Sequence, residues 1–314
     1  MQNDEFDVIV IGGGAAGLSA GLMLARSRRS VLVLDAGAPR NAPAAAVHGL
    51  FARDGVPPAE LLERGRAEVR AYGGEVREAT VTDARRDGDL FVVLAGGDEL
   101  RARRLLVATG LVDDLPDLPG VREHWGHDIV HCPYCHGWEV RDTAIGVLAL
   151  TPRAVHQALL FRQWSDDVIL FANDLVVADD DEREQLEARS VRVVDGAVVA
   201  VESVDGRVSG VRLADGTVVP RATIAIGPRA LVRLPFLAGL GLAVAEHPSG
   251  IGEHLPADPT GRTSVPGVWA AGNVTDPIAQ VGAAAAGAAF AAAQLNMDLV
   301  QEDVERAVAD RRRG

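Results

Sequence analysis

The sequence predicts an α/β protein made of two doubly wound domains. Three observations predict it. A strand, a glycine-rich turn and a helix open the chain; a second strand–helix–strand rhythm appears near its middle; and 314 residues exceed the usual single domain.

Phe6 to Ile11 is a short apolar run of strand type, and a helical pattern follows from Ala15 to about Arg28. Ser30 to Leu34 is a second strand that ends at Asp35, which completes a β-α-β unit and requires a parallel sheet. Leu90 to Leu94 and Arg104 to Val107 are further strands, the latter breaking at Ala108-Thr109-Gly110. The proline-rich, acidic stretch Leu111 to Gly120 reads as a linker.

Thr143 to Leu150 is again strand-like, Arg153 to Trp164 helical, and Val168 to Phe171 a strand, so the opening rhythm repeats. Val198 to Val204 and Val208 to Leu213 are hairpin pieces, with Asp205-Gly206 and Asp215-Gly216 as turns. The pattern loosens near Gly227 to Gly250, Gly267 to Ala271 is a last strand, and a tail helix begins near Gln280. The acidic run Asp179 to Glu184 reads as a solvated helix start, and Arg311 to Arg313 as a frayed end.

Composition narrows the function. A net charge of −13 argues against nucleic acid or an anionic membrane as the main partner. All 31 basic residues are arginine, so no lysine is available for Schiff-base or general-base chemistry. From Met1 through Asp4 and Glu5 the chain enters its first strand without the basic start and cleavage site of a signal peptide, and a cytoplasmic location is expected. Val281 to Ala293 is too short to span a bilayer and reads as a buried helix. Two cysteines are no disulfide scaffold; in a reducing compartment such a pair is catalytic or metal-binding.

Gly12-x-Gly14-x-x-Gly17 lies between strand and helix, with Asp35 after the next strand. This is the dinucleotide fingerprint of a Rossmann-like domain: bare glycines let the backbone approach a pyrophosphate, the helix start offers free N–H groups, and the acid accepts from a ribose hydroxyl. The fingerprint alone does not separate FAD from NAD. In the second domain the matching turn reads Leu150-Thr151-Pro152, and no glycine occurs between Gly146 and Gly196. Asp174, where a basic cluster would hold a ribose phosphate, repels one. The second domain is therefore expected to keep the shape of a nucleotide domain without the ligand.

Cys132 and Cys135 stand two residues apart, flanked by His131 and His136. That spacing allows a disulfide across one turn, a helix start would lower a thiol pKa, and a neighbouring histidine can move protons in thiol–disulfide exchange. Zinc competes on paper, because His124, His127, His131 and His136 lie in the same segment, but no second Cys-x-x-Cys or His-x-x-x-His pair completes a site, and no metal is expected. Trp125, Tyr134 and Trp138 could wall an apolar pocket or simply pack.

Together the fingerprint, Ala108-Thr109-Gly110, the central Cys-x-x-Cys and "VPGVWAAGNVTDP" resemble the low-molecular-weight thioredoxin reductase family of flavoproteins over essentially the whole chain. The resemblance implies FAD in a discontinuous domain (1–114 and 244–314) around a smaller insert (115–243) that carries the cysteines. It places Gly12, Gly14, Gly17 and Asp35 on the adenosine pyrophosphate, Arg40, Asn41 and His48 in the segment lining FAD, Val81 near the adenine, and Ala108 and Thr109 beside the cofactor. Gly272 and Asn273 match the closing Gly-Asp of that family, with asparagine for the acid, and Gln280 and Val281 the start of the helix that points at the flavin.

Two departures matter. His136 stands where the reductases have aspartate, and the NADPH motifs are missing. Both, with "CPYCHGWE", make the chain look like the dithiol oxidase branch that closes disulfides in natural products such as gliotoxin, holomycin and romidepsin. That resemblance implies a small-molecule dithiol substrate, Cys132 as the attacked sulfur, Cys135 as the flavin-proximal thiol, His136 as general base and acid, O2 as acceptor giving hydrogen peroxide, and a homodimer. A reductase fed by NADPH or a protein donor, and a flavin-bound sensor without turnover, are the competing readings.

Overall fold

Val8 and Val10 face one way and Ile9 and Ile11 the other along the strand Glu5–Ile11, and all four are buried, because this strand lies inside a sheet covered on both faces. The computed structural model describes residues 5–313 except 176, 177 and 233. Met1 to Asp4, expected as the lead-in to the first strand, lie outside the described residues. The chain forms two units, Met1–Ala42 with Ala59–Val112 and Ala230–Gly314, and Pro43–Pro58 with Asp113–Arg229.

In the first unit the sheet runs Glu75–Glu78, Val31–Asp35, Glu5–Ile11, Asp98–Val107, Leu90–Ala95, Val81–Asp87, and Val268–Ala270 pairs in parallel with Asp98–Val107. The strands around Glu5–Ile11 are parallel, as a β-α-β unit demands. One face is covered by the helix Ala15–Arg26 and the terminal helix Val281–Arg313. The other carries Phe236, Leu237, Leu240 and Leu242 beside Val81 and Ala84. These apolar side chains draw the segment after Arg229 into this unit, so the chain returns earlier than the boundary at 243/244 expected from the sequence.

By length and composition the terminal helix could cross a membrane. In this fold Ala284, Ala288, Ala291, Ala292, Leu295 and Leu299 are buried in the first unit. Its polar half is held by arginines: Arg29 Nη1 lies 2.7 Å from Asp303 Oδ2 and Arg104 Nε 2.7 Å from Asp298 Oδ2. Arg311–Arg313, expected to fray, remain helical, where cations complement the carboxyl end of the dipole.

In the second unit a parallel sheet runs Arg192–Val194, Val168–Phe171, Ile145–Leu148, Thr223–Ile226, Ile129–Val130. Helices Ala154–Phe161 and Asp180–Ala188 contribute Ala158, Phe161 and Leu186 to the core on one face. The antiparallel strands Val198–Val204, Arg207–Leu213 and Val218–Pro220 cover the other with Val201, Val211 and Leu213. The acidic run starts a helix by a capping box, Asp179 Oδ1 accepting from Glu182 N while Glu182 Oε2 accepts from Asp179 N. The stretch read as a linker is largely structured: Leu115 and Leu118 pack on this core, and Pro119 O accepts from Val201 N at 2.9 Å.

Candidate functional site

In the first unit the glycine turn leaves the carboxyl end of Glu5–Ile11. Gly12 has φ 115°, and a Cβ there would lie 2.3 Å from Ala108 O; at Gly17 it would lie 1.8 Å from Gly12 O. Neither position has room for a side chain, so the turn stays flat against its neighbours. Gly14 precedes the helix with no side-chain cap, no acid stands in the first turn, and a Cβ on Gly14 would meet nothing within 4 Å. The free N–H groups at the helix start therefore open onto space, as an anion requires.

Asp35, at the end of its strand, is nearly buried; its Oδ1 accepts from Gly37 N at 2.9 Å and its Oδ2 from Arg66 Nη2 at 2.8 Å. The carboxylate in turn raises the Arg66 pKa, a side-chain hydrogen bond being the main cause. Sequence reading missed Arg66 because it comes from the helix Pro58–Ala71, which carries no spacing signal linking it to Asp35. Thr109 Oγ1 is buried with no hydrogen-bond partner, and the Thr109 Cα would lie 2.9 Å from a Cβ on Gly12. An orphaned hydroxyl beside a bare turn and an open helix start suits the polar groups of a dinucleotide, so these residues fit a dinucleotide, FAD included.

The other residues expected at this site are also in the first unit, His48 excepted. Val81 is buried at the start of its strand, Ala108 N donates to Ile11 O at 2.8 Å, and Arg40 and Asn41 precede the crossing at Ala42. Gly272 sits against Ala16. Asn273 Nδ2 donates to Asp276 O at 3.0 Å and Ala279 O at 2.8 Å, bracing the loop that leads to Gln280 and Val281, where the terminal helix starts. An aspartate has no hydrogen for those carbonyls.

In the second unit Cys132 caps a single helical turn, Pro133–His136, with Pro133 at its first position. Backbone N–H groups of Cys135 and His136 both donate to Cys132 O, at 3.2 and 3.1 Å, and this folds the two sulfurs to 2.7 Å from one another. A disulfide needs about 2.05 Å, a small further approach. One turn carries only a fraction of a long helix's dipole, so the thiol activation expected from a helix start is correspondingly small.

His136 Nδ1 is buried without a hydrogen-bond partner. Burial holds its pKa below the ordinary imidazole value; the Glu139 carboxylate and the Cys132 backbone pull it up, while His48 and His131 push it further down. His48 belongs to this unit. Its loop closes where Val47 N donates to Val56 O at 2.8 Å, and its ring stands with Nε2 3.4 Å from Glu139 Oε1 and Nδ1 3.5 Å from Asp54 Oδ1. Nothing in the irregular Pro43–Pro58 segment signals that placement in advance.

At the carboxyl ends of the second sheet, where a doubly wound domain binds its dinucleotide, side chains hydrogen-bond to backbone groups of the protein itself. Asn173 Nδ2 donates to Ala149 O at 3.2 Å and its Oδ1 accepts from Val198 N at 2.9 Å. Gln157 Nε2 donates to His131 O at 2.8 Å, and His131 Nδ1 bonds Ile226 O at 3.0 Å. The last pair and Gln157 tie the segment leading into Cys132 to the strand Thr223–Ile226. Thr151, Pro152 and Arg153 are exposed.

Of the aromatics, Tyr134 and Trp138 are 64% and 65% exposed, whereas Trp125 packs on the core. Trp164, unmarked in the sequence, meets Tyr134 edge-on at 5.8 Å, and the Arg141 guanidinium lies 4.1 Å over Trp138. His124 turns to Asp128, which also accepts from Arg207 Nε and Val208 N, at 3.0 and 3.1 Å.

Residues 6–293 match the model of the pyridine nucleotide-disulphide oxidoreductase family. The chain is 32% identical over 295 residues to thioredoxin reductase sirT of Leptosphaeria maculans, covering 88% of this chain and 89% of that one. It is 32% identical over 287 residues to thioredoxin reductase tcpT of Claviceps purpurea, covering 85% and 86%. The crystal structure of HlmI is similar with a TM-score of 0.93 and 48% identity, covering 100% of this chain and 98% of that one.

Proposed function

This chain belongs to the pyridine nucleotide-disulphide oxidoreductase family, flavoproteins that act on thiols and disulfides, and from that premise we propose that it is an FAD-dependent dithiol oxidase that closes an intramolecular disulfide in a small molecule. The observation that carries the reading is the second sheet: Asn173, Gln157 and His131 fill its carboxyl ends with hydrogen bonds while the Cys-x-x-Cys-His constellation beside them is intact. On this reading the second unit takes no nicotinamide and keeps a site for thiol exchange.

In the proposed reaction His136 takes the proton of one substrate thiol, and the thiolate attacks Cys132 of the Cys132–Cys135 disulfide, releasing Cys135. His136 returns that proton to the departing Cys135 sulfur, then takes the proton of the second thiol, which displaces Cys132 and closes the substrate's own S–S bond as the proton passes to Cys132. Two substrate protons and two electrons thereby end on the cysteines. FAD, held by the Gly12–Gly17 turn, Asp35, Thr109 and the Asn273 loop, would supply the two-electron acceptor that restores the cysteine disulfide, with dioxygen as the final acceptor and hydrogen peroxide as product. Tyr134 and Trp138 offer apolar surface to the substrate. Homodimerisation and a cytoplasmic location belong to the same proposal.

His136→Gln is expected to slow flavin reduction by a dithiol about 10²–10⁴-fold, read by stopped-flow absorbance without air. The sign of the pH dependence follows from burial. A base with a lowered pKa stays neutral and competent until the pH falls through that lowered value, so the acid limb of the wild-type rate is expected below pH 6.5. An acid limb above 6.5, or a His136→Gln rate equal to wild type, contradicts the role. In air, the oxidase reading requires one peroxide per disulfide formed.

A further inference from the structure

Two large exposed side chains stand on the cysteine turn itself. Tyr134 lies between the cysteines and is 64% exposed; Trp138 follows His136 by two positions and is 65% exposed. The turn goes on past His136, because Glu139 N and Val140 N both donate to His136 O, at 3.1 and 3.2 Å. Positions three and four apart are neighbours on a helical turn, so Trp138 is placed next to both Cys135 and Tyr134. Each of the two rings is braced. Trp164 meets Tyr134 edge-on with centroids 5.8 Å apart, and Trp164 is itself seated on the turn: a Cβ on Gly137 would lie 2.7 Å from its Cδ2. The Arg141 guanidinium lies 4.1 Å from the centroid of Trp138, and its Nη1 donates to Trp138 O.

We propose that Tyr134 and Trp138 are specificity-determining residues: together they form an aromatic shelf beside the cysteine pair that selects dithiols carried on a flat, unsaturated ring. The inference rests on the reading of the chain as a dithiol oxidase and names the substrate class of that same site.

An aromatic ring left in water forgoes the stabilisation of burial, and a ligand that covers it recovers that term. Arg141 covers one face of Trp138 and Trp164 holds Tyr134, so both rings keep a set orientation while most of their surface stays open. Braced rings lose little conformational freedom when a ligand arrives, which is how preorganisation raises affinity. A flat unsaturated ring can lie offset or edge-on against them, an arrangement worth more than its area alone. A short hydroxylated chain gains neither contact, and its hydroxyls give up water without a partner. The charges carried next to Trp138, on Glu139 and Arg141, are of opposite sign, so selection falls on shape and not on charge.

Two probes that close disulfide rings of the same size separate shape from thiol chemistry: ortho-xylenedithiol, which carries the flat ring, and dithiothreitol, which lacks it. Anaerobic flavin reduction of the holoprotein is followed by stopped-flow absorbance over a range of each. Trp138→Ala and Tyr134→Leu are each expected to raise the half-saturating concentration of ortho-xylenedithiol about 3–10-fold, with its limiting rate little changed and dithiothreitol shifted less than about 2-fold. Trp138→Phe should retain most of the wild-type preference. A purely structural role would slow both probes alike, so equal effects on the two, or none, overturn the proposal. A change of oligomeric state by light scattering with the preference unchanged also overturns it, and makes the shelf an interface between copies. The bis-methyl thioether of ortho-xylenedithiol, which has no thiol to exchange, is titrated alongside by calorimetry. If it binds wild type and loses affinity in Trp138→Ala while no dithiol reduces the flavin, the shelf stands and the oxidase reading fails; no binding and no reduction overturn both.

Discussion

Cys135→Ser is expected to yield a yellow, folded protein whose flavin is bleached by a dithiol at least ~10³-fold more slowly than wild type. The sulfurs of Cys132 and Cys135 stand 2.7 Å apart, and no other cysteine exists in the chain, so removing one leaves no cysteine disulfide to accept two electrons from the substrate. A hydroxyl is a poor nucleophile at neutral pH and cannot exchange with a thiol. Cofactor affinity should not change, because the glycine turn, Asp35 and Thr109 belong to the first unit. Stopped-flow absorbance without air reads the rate. Bleaching of the serine variant at the wild-type rate would show that dithiols reach the flavin without the cysteine pair.

Gly17→Ala is expected to have the largest effect on cofactor binding. Its methyl would stand 1.8 Å from Gly12 O, and the turn can relieve that overlap only by moving away from the helix start. Overpacking of this kind typically costs about 1–3 kcal/mol and here also distorts the anion cradle. The variant should purify colourless, with a lowered urea midpoint that added FAD does not restore. A yellow variant of wild-type stability would show that this turn is not what holds the cofactor.

Much of the first unit is legible in the sequence because its signals are local. The spacing Gly12-x-Gly14-x-x-Gly17 between an apolar run and a helical pattern states its own geometry, and Asp35 follows from the length of one β-α-β unit. Cys132, Cys135 and His136 are equally visible, since their chemistry depends on adjacency along the chain. What the sequence hides depends on partners far away in it. Arg66 reaches Asp35 across 31 positions, and Gln157 reaches the carbonyl of His131 across 26. Asn173 shows the same limit: its neighbour Asp174 reads as a mere repulsive charge, while the asparagine side chain bonds both Ala149 O and Val198 N at the end of the sheet. His48 illustrates it most clearly. The resemblance to flavoproteins places it in the segment that lines FAD, and the fold sets its ring against Glu139 in the unit that carries the cysteines.

The absence of lysine acquires a structural meaning as well. Arginine forks pair with Asp303 and Asp298 and fasten the charged half of the terminal helix, a task that suits a planar, always-charged donor. The Arg29 hydrogen bond is the main reason the Asp303 carboxyl titrates below the usual carboxylate range.

The central claim is that electrons enter from a dithiol and not from a nicotinamide. It is tested by anaerobic absorbance of the holoprotein with NADPH in one cuvette and dithiothreitol in another, followed by air. The account predicts that only the dithiol bleaches the flavin and that air restores the colour with one peroxide formed per disulfide. Rapid bleaching by NADPH, with the electrons reaching Cys132 and Cys135, would contradict it and make the chain a reductase whose nucleotide site survives despite Asn173 and Gln157.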